Sequence, residues 1–374
     1  MRLIIFFIFL ISIISCKNSF DKEIKEHLQG DWSKEFYDKT NNDPNELPSI
    51  FFNINNIYKF SSDTIYDSNH FSIYNEKTND FEYLGYKTNF KIKNSVVSWY
   101  NTASKKNIEF GKVEKLSKDT IYFAHFMLVR DKVKQQFNNV FDAIIVTSSG
   151  CYGSCPIYNY RLESNGDIIY AGEKFTQING VYAGQINKEY FNYFKNKLNQ
   201  IDLYQTDDQY SNNTTDGNFE EIVFIKNNKI TKRISFYIND GPPKVKQLLD
   251  ILRAMHYYIE DKKPYHYKDY FSIINPFTNA KEVNLEEFRD YQSFYLWTEL
   301  MKHPSKPFQF KQKTFKINKF ISKFWDSKYE EISPKSLQTI ETDGQQFQIK
   351  FKDSPIQYYD LGYNFLENND LTYK

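Results

Sequence analysis

The sequence predicts an α+β protein that begins with an antiparallel β-meander or barrel. Short runs of aromatic and β-branched residues, separated by turn-forming residues, fill the chain up to about residue 130. Further on, such runs alternate with two segments in which apolar residues recur at helical spacing. We therefore expect an α+β domain with two helices packed on an antiparallel sheet, followed by a C-terminal α+β region. The 374 residues, 40% of them hydrophobic, suffice for two or three folded domains.

The first 15 residues have the features of a signal peptide. Arg2 supplies a positive charge, and residues 3–14 are almost wholly apolar, whereas a membrane-spanning helix needs about 18 residues or more. The segment ends in Ile-Ile-Ser-Cys at residues 13–16, which resembles a bacterial lipobox. That resemblance implies a lipoprotein in which Cys16 is the acylated first residue, and residues 16–27 then read as a polar tether. Simple secretion is the alternative.

Residues 28–138 are predicted to form the β-meander. The opening Leu28, Gly30 and Trp32 resembles the start of small lipocalin-like domains of secreted bacterial proteins. An abundance of aromatic residues, 34 Phe and 30 Tyr in the chain, favours a barrel filled by side chains, and a hollow barrel that holds a ligand is the alternative. The predicted strand runs are 53–60, 64–74, 81–92, 96–100 and 120–129.

Residues 139–260 are predicted to form the α+β domain with two helices. Asn187 is a candidate N-cap for a first helix, and residues 240–243 begin a second one. The predicted strand runs are 141–147, 156–162, 168–171, 219–225 and 229–237.

Residues 261–374 are predicted to form a C-terminal α+β region, either a third unit or an extension of the second. Its expected elements are a helix over 285–301, capped by Asn284, and strands over 308–317 and 346–351.

Cys151 and Cys155 remain as a pair once Cys16 is assigned to lipid. A Cys pair in an exported chain predicts a disulfide, which would stabilise the fold by about 2 kcal/mol through its small loop. We expect Gly150 and Gly153 to supply the positive φ angles of a tight ring, and Pro156 to prevent a helix before the next strand.

Three other roles compete with a structural disulfide for this pair. Redox-active pairs are usually spaced C-x-x-C at a helix N-terminus, and here the spacing is longer and a strand follows. The six His are scattered away from the pair, which disfavours a metal site. Cys155 and Arg161 match the C-x5-R spacing of cysteine phosphatases, but a strand-like segment between them cannot cradle a phosphate.

The motif Gly150, Cys151, Tyr152, Gly153, Cys155, Pro156 and Tyr158 resembles the hallmark of a bacterial domain of unknown function, number 6438. Downstream similarities are Gly166-Asp167, Tyr170 with Gly172, Asp208 with Tyr210, Thr215-Asp216 and the start of the second helix at Asp240-Gly241-Pro242. The Thr-rich strand that follows the Thr-Asp pair in this family is replaced here by Phe219 to Phe224. The resemblance implies an α+β fold and no established activity.

Other features point away from enzymes of common classes. The chain has no G-x-S-x-G, H-E-x-x-H, G-x-x-x-x-G-K-[ST] or G-x-G-x-x-G motif. Acidic pairs such as Glu220-Glu221 are interpreted as solvated surface, and His256 as ordinary packing or exposure. A formal net charge of +1 disfavours nucleic-acid binding.

The sequence thus predicts a lipid-anchored cell-envelope protein of the outer membrane, on its periplasmic face or at the cell surface, in the manner of many Bacteroidota lipoproteins. Its expected role is binding or scaffolding, with no catalytic residue, metal or cofactor. The expected partners are the membrane, through the lipid anchor, and either an envelope protein or an apolar small molecule. Two alternatives stay open: a thiol redox protein or enzyme that uses Cys151 and Cys155, and a carrier of an apolar ligand in the barrel.

Overall fold

A computed structural model describes residues 19–36, 57–75, 80–131, 136–211, 215–237, 241–265, 272–273, 288–311, 314–317, 320–321, 337–369 and 371. Cys16 and the signal segment lie outside the described residues. The chain divides into two units, Met1–Gln135 and Gln136–Lys374, which are described here one at a time. The described residues are mostly in strands with few helices, so the α+β description fits only roughly.

The first unit contains a closed barrel of eight antiparallel strands in sequential order, β1 pairing with β8. This confirms the predicted meander in its closed form. The strands are β1 (Gly30–Phe36), β2 (Ile57–Ser61), β3 (Thr64–Asn75), β4 (Asp80–Lys93), β5 (Val96–Asn101), β6 (Lys106–Ser117), β7 (Thr120–Phe123) and β8 (Phe126–Arg130).

Aromatic rings pack against one another inside the barrel. Phe110 contacts the rings of Tyr58 and Phe123, with centroids 5.0 and 5.6 Å apart, and Phe123 stacks on Phe126 at 4.4 Å. Trp32 at the start of β1 is fully buried in the same core. Such ring pairs add to the stabilisation that comes from burying apolar area.

A helix, α1, precedes the barrel over residues 19–28. The tether expected over residues 16–27 is therefore structured where it is described. Ile24 and Leu28 are fully buried in the barrel core, and Phe20 packs against it. These three residues are spaced four apart and so form one helix face. The charged residues between them give the segment the polar composition from which a tether is predicted.

The second unit is built on an eight-stranded sheet with the order β13-β15-β14-β9-β10-β11-β12-β16. All neighbours are antiparallel except β13 and β15, which are parallel. The strands are β9 (Ala143–Ser148), β10 (Ile157–Glu163), β11 (Asp167–Lys174), β12 (Gly180–Ile186), β13 (Gln209–Ser211), β14 (Phe219–Lys226), β15 (Lys229–Tyr237) and β16 (Ile259–Pro264).

Helices α2 (Lys188–Leu198) and α3 (Pro243–Arg253) cover one face of this sheet, which we call the helix face. The hydroxyl of Tyr160 in β10 donates to the carbonyl of Leu252 in α3, and that of Tyr190 in α2 donates to Ile251, each at 2.8 Å. Asn187 caps α2 as predicted, because its side chain accepts from the backbone N–H groups of residues 189 and 190.

Helix α4 (Asp290–Lys302) covers the opposite face, the α4 face. Ala143 and Ile145 of β9 point to this face and share a core with Phe294 and Trp297 of α4. A smaller sheet, β18-β20-β21-β22, contributes to the same core together with the short helix α5 (Phe365–Asn368). Its strands are Phe315–Ile317, Leu337–Thr342, Gln346–Phe351 and Gln357–Asp360, and a separate pair is β17 (Ser272–Ile273) with β19 (Phe320–Ile321).

Several expected elements differ from the observed ones. The single run 120–129 is two strands joined by a turn, and the run 308–317 is a strand only at Phe315–Ile317 within its described part. The helix expected over 285–301 begins at Asp290, where the Gln292 side chain accepts from the backbone N–H of Arg289 at 2.8 Å, and Asn284 lies outside the described residues. Because α4 packs on the sheet of residues 143–264, the C-terminal region extends the second fold within one unit.

Candidate functional site

The residues of the cysteine motif lie at one end of the second unit's sheet, which we call the motif end. Here β9 ends, β10 begins and β14 begins, so that Ser148 is paired with Tyr158 on one side and Glu220 on the other. The Cys151–Cys155 loop joins β9 to β10 at this end. Antiparallel pairing therefore gathers chain segments far apart in sequence around the loop.

Backbone and side-chain hydrogen bonds hold the loop. The Ser149 hydroxyl accepts from the N–H of Phe219 at 2.9 Å, and the Ser148 hydroxyl donates to the carbonyl of Pro156 at 2.8 Å. The N–H of Tyr152 donates to the carbonyl of Asp216 at 3.2 Å. Asp216, in the Thr215-Asp216 pair noted in the sequence, thus lies next to the loop and helps to hold it in place.

The sulfur atoms of Cys151 and Cys155 are at disulfide distance, with Cα atoms 5.6 Å apart. The expectation about their glycines is wrong: neither Gly150 nor Gly153 adopts a positive φ. Inside the ring, the N–H of Gly153 donates to the carbonyl of Cys151 at 2.8 Å. At Gly150 the constraint is packing, since an added Cβ would lie 3.1 Å from the side chain of Ile157.

Two aromatic side chains are exposed in adjacent loops at the motif end. Tyr152, at the tip of the cysteine loop, is 91% exposed. Phe175 is 47% exposed and has a φ of 55°, a conformation that bulky residues rarely adopt and that marks stored strain. The two loops are neighbours because Lys174, just before Phe175, pairs with Ile157, just after Pro156.

Gly172 allows the Phe175 loop to fold back over β11. A Cβ at this position would lie 2.0 Å from the carbonyl oxygen of Ile178, so only glycine fits. The Thr176 hydroxyl, within the loop, donates to the same carbonyl or to the Asn179 side chain. The Tyr170-x-Gly172 similarity noted in the sequence thus reflects a close backbone approach.

Beneath the loop, on the helix face, lies a buried charged cluster. Arg253 of α3 makes a two-pronged ion pair with Glu220 and also donates to Asp250 at 3.1 Å. The Tyr158 hydroxyl faces Glu220 at 3.5 Å. Burial raises the pKa of Tyr158 well above its usual value, and the Glu220 charge adds to this. Burial also raises the pKa of Asp250, to about 6, against the opposing pull of Arg253.

His256 adjoins this cluster. Its ring stacks on Tyr170 with centroids 5.4 Å apart, and its Nδ1 donates to the carbonyl of Arg253 at 2.9 Å. Burial lowers the pKa of His256 to about 4, so the ring is neutral near pH 7. The Tyr170 hydroxyl is buried, and burial raises its pKa.

The interpretation of the acidic pairs as solvated surface is wrong for Glu220 and Glu221. Both are buried, and as neighbours in β14 they point to opposite faces. Glu220 binds Arg253 on the helix face, whereas Glu221 binds Arg233 at 2.9 Å. The partner of Glu220 lies 33 residues away in α3 and has no local sign in the sequence, whereas Arg233 lies 12 residues from Glu221 in the neighbouring strand β15.

A second buried charged cluster lies on the α4 face. Arg161 of β10 binds Glu299 of α4 and Glu163, and the Tyr363 hydroxyl donates to Glu299 at 2.6 Å. Arg161 thus belongs to a strand and is engaged by carboxylates on the face opposite Tyr158. This geometry differs from a phosphate-binding loop around Cys155.

Within the described ranges, no group of three or more His, Cys, Asp and Glu side chains is arranged to hold a metal ion. No helix in the part of the chain that the structure describes is long and apolar enough to span a membrane.

Comparison with known proteins identifies one region. Residues 142–256 match the family model described as Domain of unknown function (DUF6438), which confirms the resemblance expected from the cysteine motif. The matched region includes the motif end, α2 and α3, and ends at His256. No curated protein and no solved structure matches the chain. The chain therefore contains a domain of the family of unknown function 6438 at residues 142–256.

Proposed function

We propose that the protein is an exported, lipid-anchored cell-envelope protein that binds a protein partner through the cysteine loop at the motif end, without catalysis. One observation carries this proposal: a short loop, closed by two cysteines at disulfide distance, presents Tyr152 almost fully to solvent. A Tyr whose backbone is held by a small closed loop offers a large contact area at a reduced cost in backbone entropy, as the anchoring residues of protein interfaces do.

The exposed Phe175 supports the same surface. Its strained backbone is maintained by the fold around Gly172, and strain of this kind is concentrated at functional sites. Cys151 and Cys155 at disulfide distance support export, since disulfides persist in oxidising compartments. Acylation of Cys16 would then anchor the protein, because two or more chains give stable membrane attachment.

Photo-crosslinking in intact cells tests the binding proposal. A photoreactive phenylalanine analogue replaces Tyr152 in one variant and Tyr204 in a matched control, because Tyr204 is also 68% exposed in the second unit. We expect a discrete crosslinked protein from position 152 that position 204 does not yield, and weaker association of that protein with the Tyr152→Ala variant. The same products from both positions, or none from either, would contradict the proposal.

Labelling with an alkyne analogue of palmitate tests the anchor. We expect the wild-type protein to incorporate the label and to sediment with membranes, and the Cys16→Ser variant to do neither. An unlabelled wild-type protein that stays in the cytosol would refute both export and anchoring.

The redox alternative depends on the same loop and has a separate test. A structural disulfide should survive mild reductant and show no free thiol near neutral pH in a thiol titration of the native protein. Rapid reduction, with a thiol that is nucleophilic near pH 7, would favour the redox function.

The ligand-carrier alternative concerns the barrel. The mutual contacts of Phe110, Phe123 and Phe126 support a barrel filled by its own side chains. Native mass spectrometry of the mature protein checks this: a co-purifying lipid of defined mass would revive the carrier function.

A further inference from the structure

The strand order of the barrel brings three turns to one of its ends. In a sequential antiparallel barrel, alternate turns lie at the same end. The β2–β3, β4–β5 and β6–β7 turns therefore share an end with the start of β1 at Gly30 and the end of β8 at Arg130. We call this the closed end, because α1 leads directly into β1 there.

Helix α1 is fixed to all three turns of the closed end. The Asp21 carboxylate accepts from the N–H groups of Asn94 and Ser95 in the β4–β5 turn, at 2.9 and 2.7 Å. Lys25 binds Asp63 in the β2–β3 turn. At the end of β6, where the β6–β7 turn begins, the carbonyl of Ser117 accepts from His27 Nε2 at 2.6 Å.

The apolar face of α1 is also held in place by the barrel. Ile24 and Leu28 are fully buried in the barrel core, and the Trp32 indole N–H donates to the carbonyl of Leu28 at 2.6 Å. With polar contacts to three turns and an apolar face in the core, α1 moves with the barrel as one body. The position of its first residue thus fixes the barrel's orientation relative to anything attached there.

Only two residues separate Cys16 from Ser19, the first described residue of α1. The three Cα–Cα steps from Cys16 to Ser19 therefore span at most about 11 Å. By comparison, the six residues of β5, which joins the closed end to the β5–β6 turn, span roughly 15 Å along the barrel axis, and the 12 residues of β6 span roughly 30 Å. A lipid on Cys16 can therefore reach the closed end and is too short to reach the opposite end.

We infer that the closed end of the barrel rests against the lipid head groups, with α1 next to the membrane and the β5–β6 turn on the far side. The inference depends on the acylation of Cys16 proposed above. The partner that this surface fits is a bilayer surface, approached through the covalent anchor.

The charges of α1 do not drive this contact. The exposed side chains of α1 alternate in sign, with Lys22 and Glu26 3.8 Å apart, and Lys25 is neutralised by Asp63. A surface of mixed charge gains little from anionic lipids. We therefore expect the orientation to be the same at low and high ionic strength.

Spin labels on the acylated full-length protein test the inference. Lys118→Cys or Lys93→Cys places a label at the closed end, and Ala103→Cys or Ser104→Cys places one in the β5–β6 turn; all four side chains are exposed. The protein is reconstituted in phosphatidylethanolamine–phosphatidylglycerol vesicles that carry a nickel chelate on a fraction of the head groups. We expect at least several-fold stronger relaxation enhancement at Lys118→Cys and Lys93→Cys than at the other two positions.

Equal enhancement at both ends, or stronger enhancement in the β5–β6 turn, would overturn the inference. Two positions at each end guard against a label that perturbs one site. As a control, about 20 Gly and Ser residues inserted before Ser19 give the tether a reach of about 25 Å, which should abolish the difference. A difference that survives this insertion would overturn the tether argument.

The proposed anchor can fail independently of this orientation. If the protein takes up no palmitate analogue and leaves the vesicles on washing, the anchor is refuted and the orientation falls with it. If the protein is acylated and retained but shows no difference between the ends, the anchor stands and only the orientation is refuted.

Discussion

Arg130, the last residue of β8, lies over the indole ring of Trp32 near the start of β1, with 4.2 Å between the guanidinium carbon and the ring centroid. Its two terminal nitrogens donate to the carbonyls of Gln29 and His27, each at 2.8 Å. One side chain thus joins the last strand to the first and to the C-terminal end of α1. Arginine suits this position because it combines stacking with a two-pronged donor.

We expect Arg130→Ala to destabilise the barrel by about 2 to 4 kcal/mol, since it removes a partly buried cation–π contact and two charge-assisted hydrogen bonds. Arg130→Lys should recover less than half of the loss, because an ammonium group cannot make both bonds. Hydrogen exchange of peptides from β1 and β8 measures the effect, and β14 peptides serve as an internal reference. Unchanged protection in Arg130→Ala would show that the contact does not stabilise the barrel.

Gly172 and Gly153 should respond differently to the same substitution. Gly172→Ala places a methyl group against the Ile178 carbonyl and should cost about 2 kcal/mol or more. At Gly153 the nearest atom to an added Cβ is 3.7 Å away and φ is not positive, so Gly153→Ala should change stability by less than about 1 kcal/mol. Urea denaturation of both variants makes the comparison, and equal losses would contradict it.

The Arg161–Glu299 pair should behave as a coupled unit. Glu299→Gln leaves Arg161 buried with one carboxylate fewer and should cost about 3 kcal/mol. Arg161→Met leaves Glu299 without its cation, at a similar cost. The double variant should lose at least about 1 kcal/mol less than the sum of the two, measured by hydrogen exchange of α4. Additive losses would mean that the two side chains act independently.

Asp250 should make stability fall as the pH rises from about 4 to 6. Its pKa is raised to about 6 in the folded protein by burial, from 3.8, so over this interval the unfolded chain releases a proton that the folded chain retains. The resulting cost is absent below pH 4 and complete above pH 6.

Asp250→Asn removes this titration. Its stability relative to the wild-type protein should therefore rise between pH 4 and 6, by up to about 3 kcal/mol, and stay constant above. Urea denaturation at several pH values tests this, and Asp208→Asn, at an exposed carboxylate, is the control. A wild-type-minus-variant difference that does not change with pH would contradict the assignment.

Strands with clear alternation were predictable. β15 was predicted at its observed bounds, Lys229–Tyr237, and β21 at Gln346–Phe351, because apolar and polar residues alternate there. β6 gave no such signal: of its residues only Val113 is buried, and its place depends on pairing with β5 and β7. β16 has charged residues and Pro264 at a sheet edge, which sequence patterns assign to loops.

The candidate site was predictable only in its local part. The proximity of Cys151 and Cys155, and their place before a strand, follow from adjacent residues. The partners of Glu220 and Arg161 come from α3 and α4, 33 and 138 residues away, and nothing in the local pattern links them. Buried ion pairs of this kind resemble surface charges in the sequence, because burial is decided by what packs on the strand.

The α4 face of the sheet is covered by residues that are synthesised after all eight of its strands. The chain leaves the ribosome from its N-terminus, so the eight-stranded sheet is complete before α4 has been made. Among the described residues, the row of Ala143, Ile145 and Val223 is covered by residues 288–371, which follow the matched domain in the chain. A stop codon ahead of Asp290 would release a product with a bare apolar sheet, a target for aggregation and for quality-control proteases.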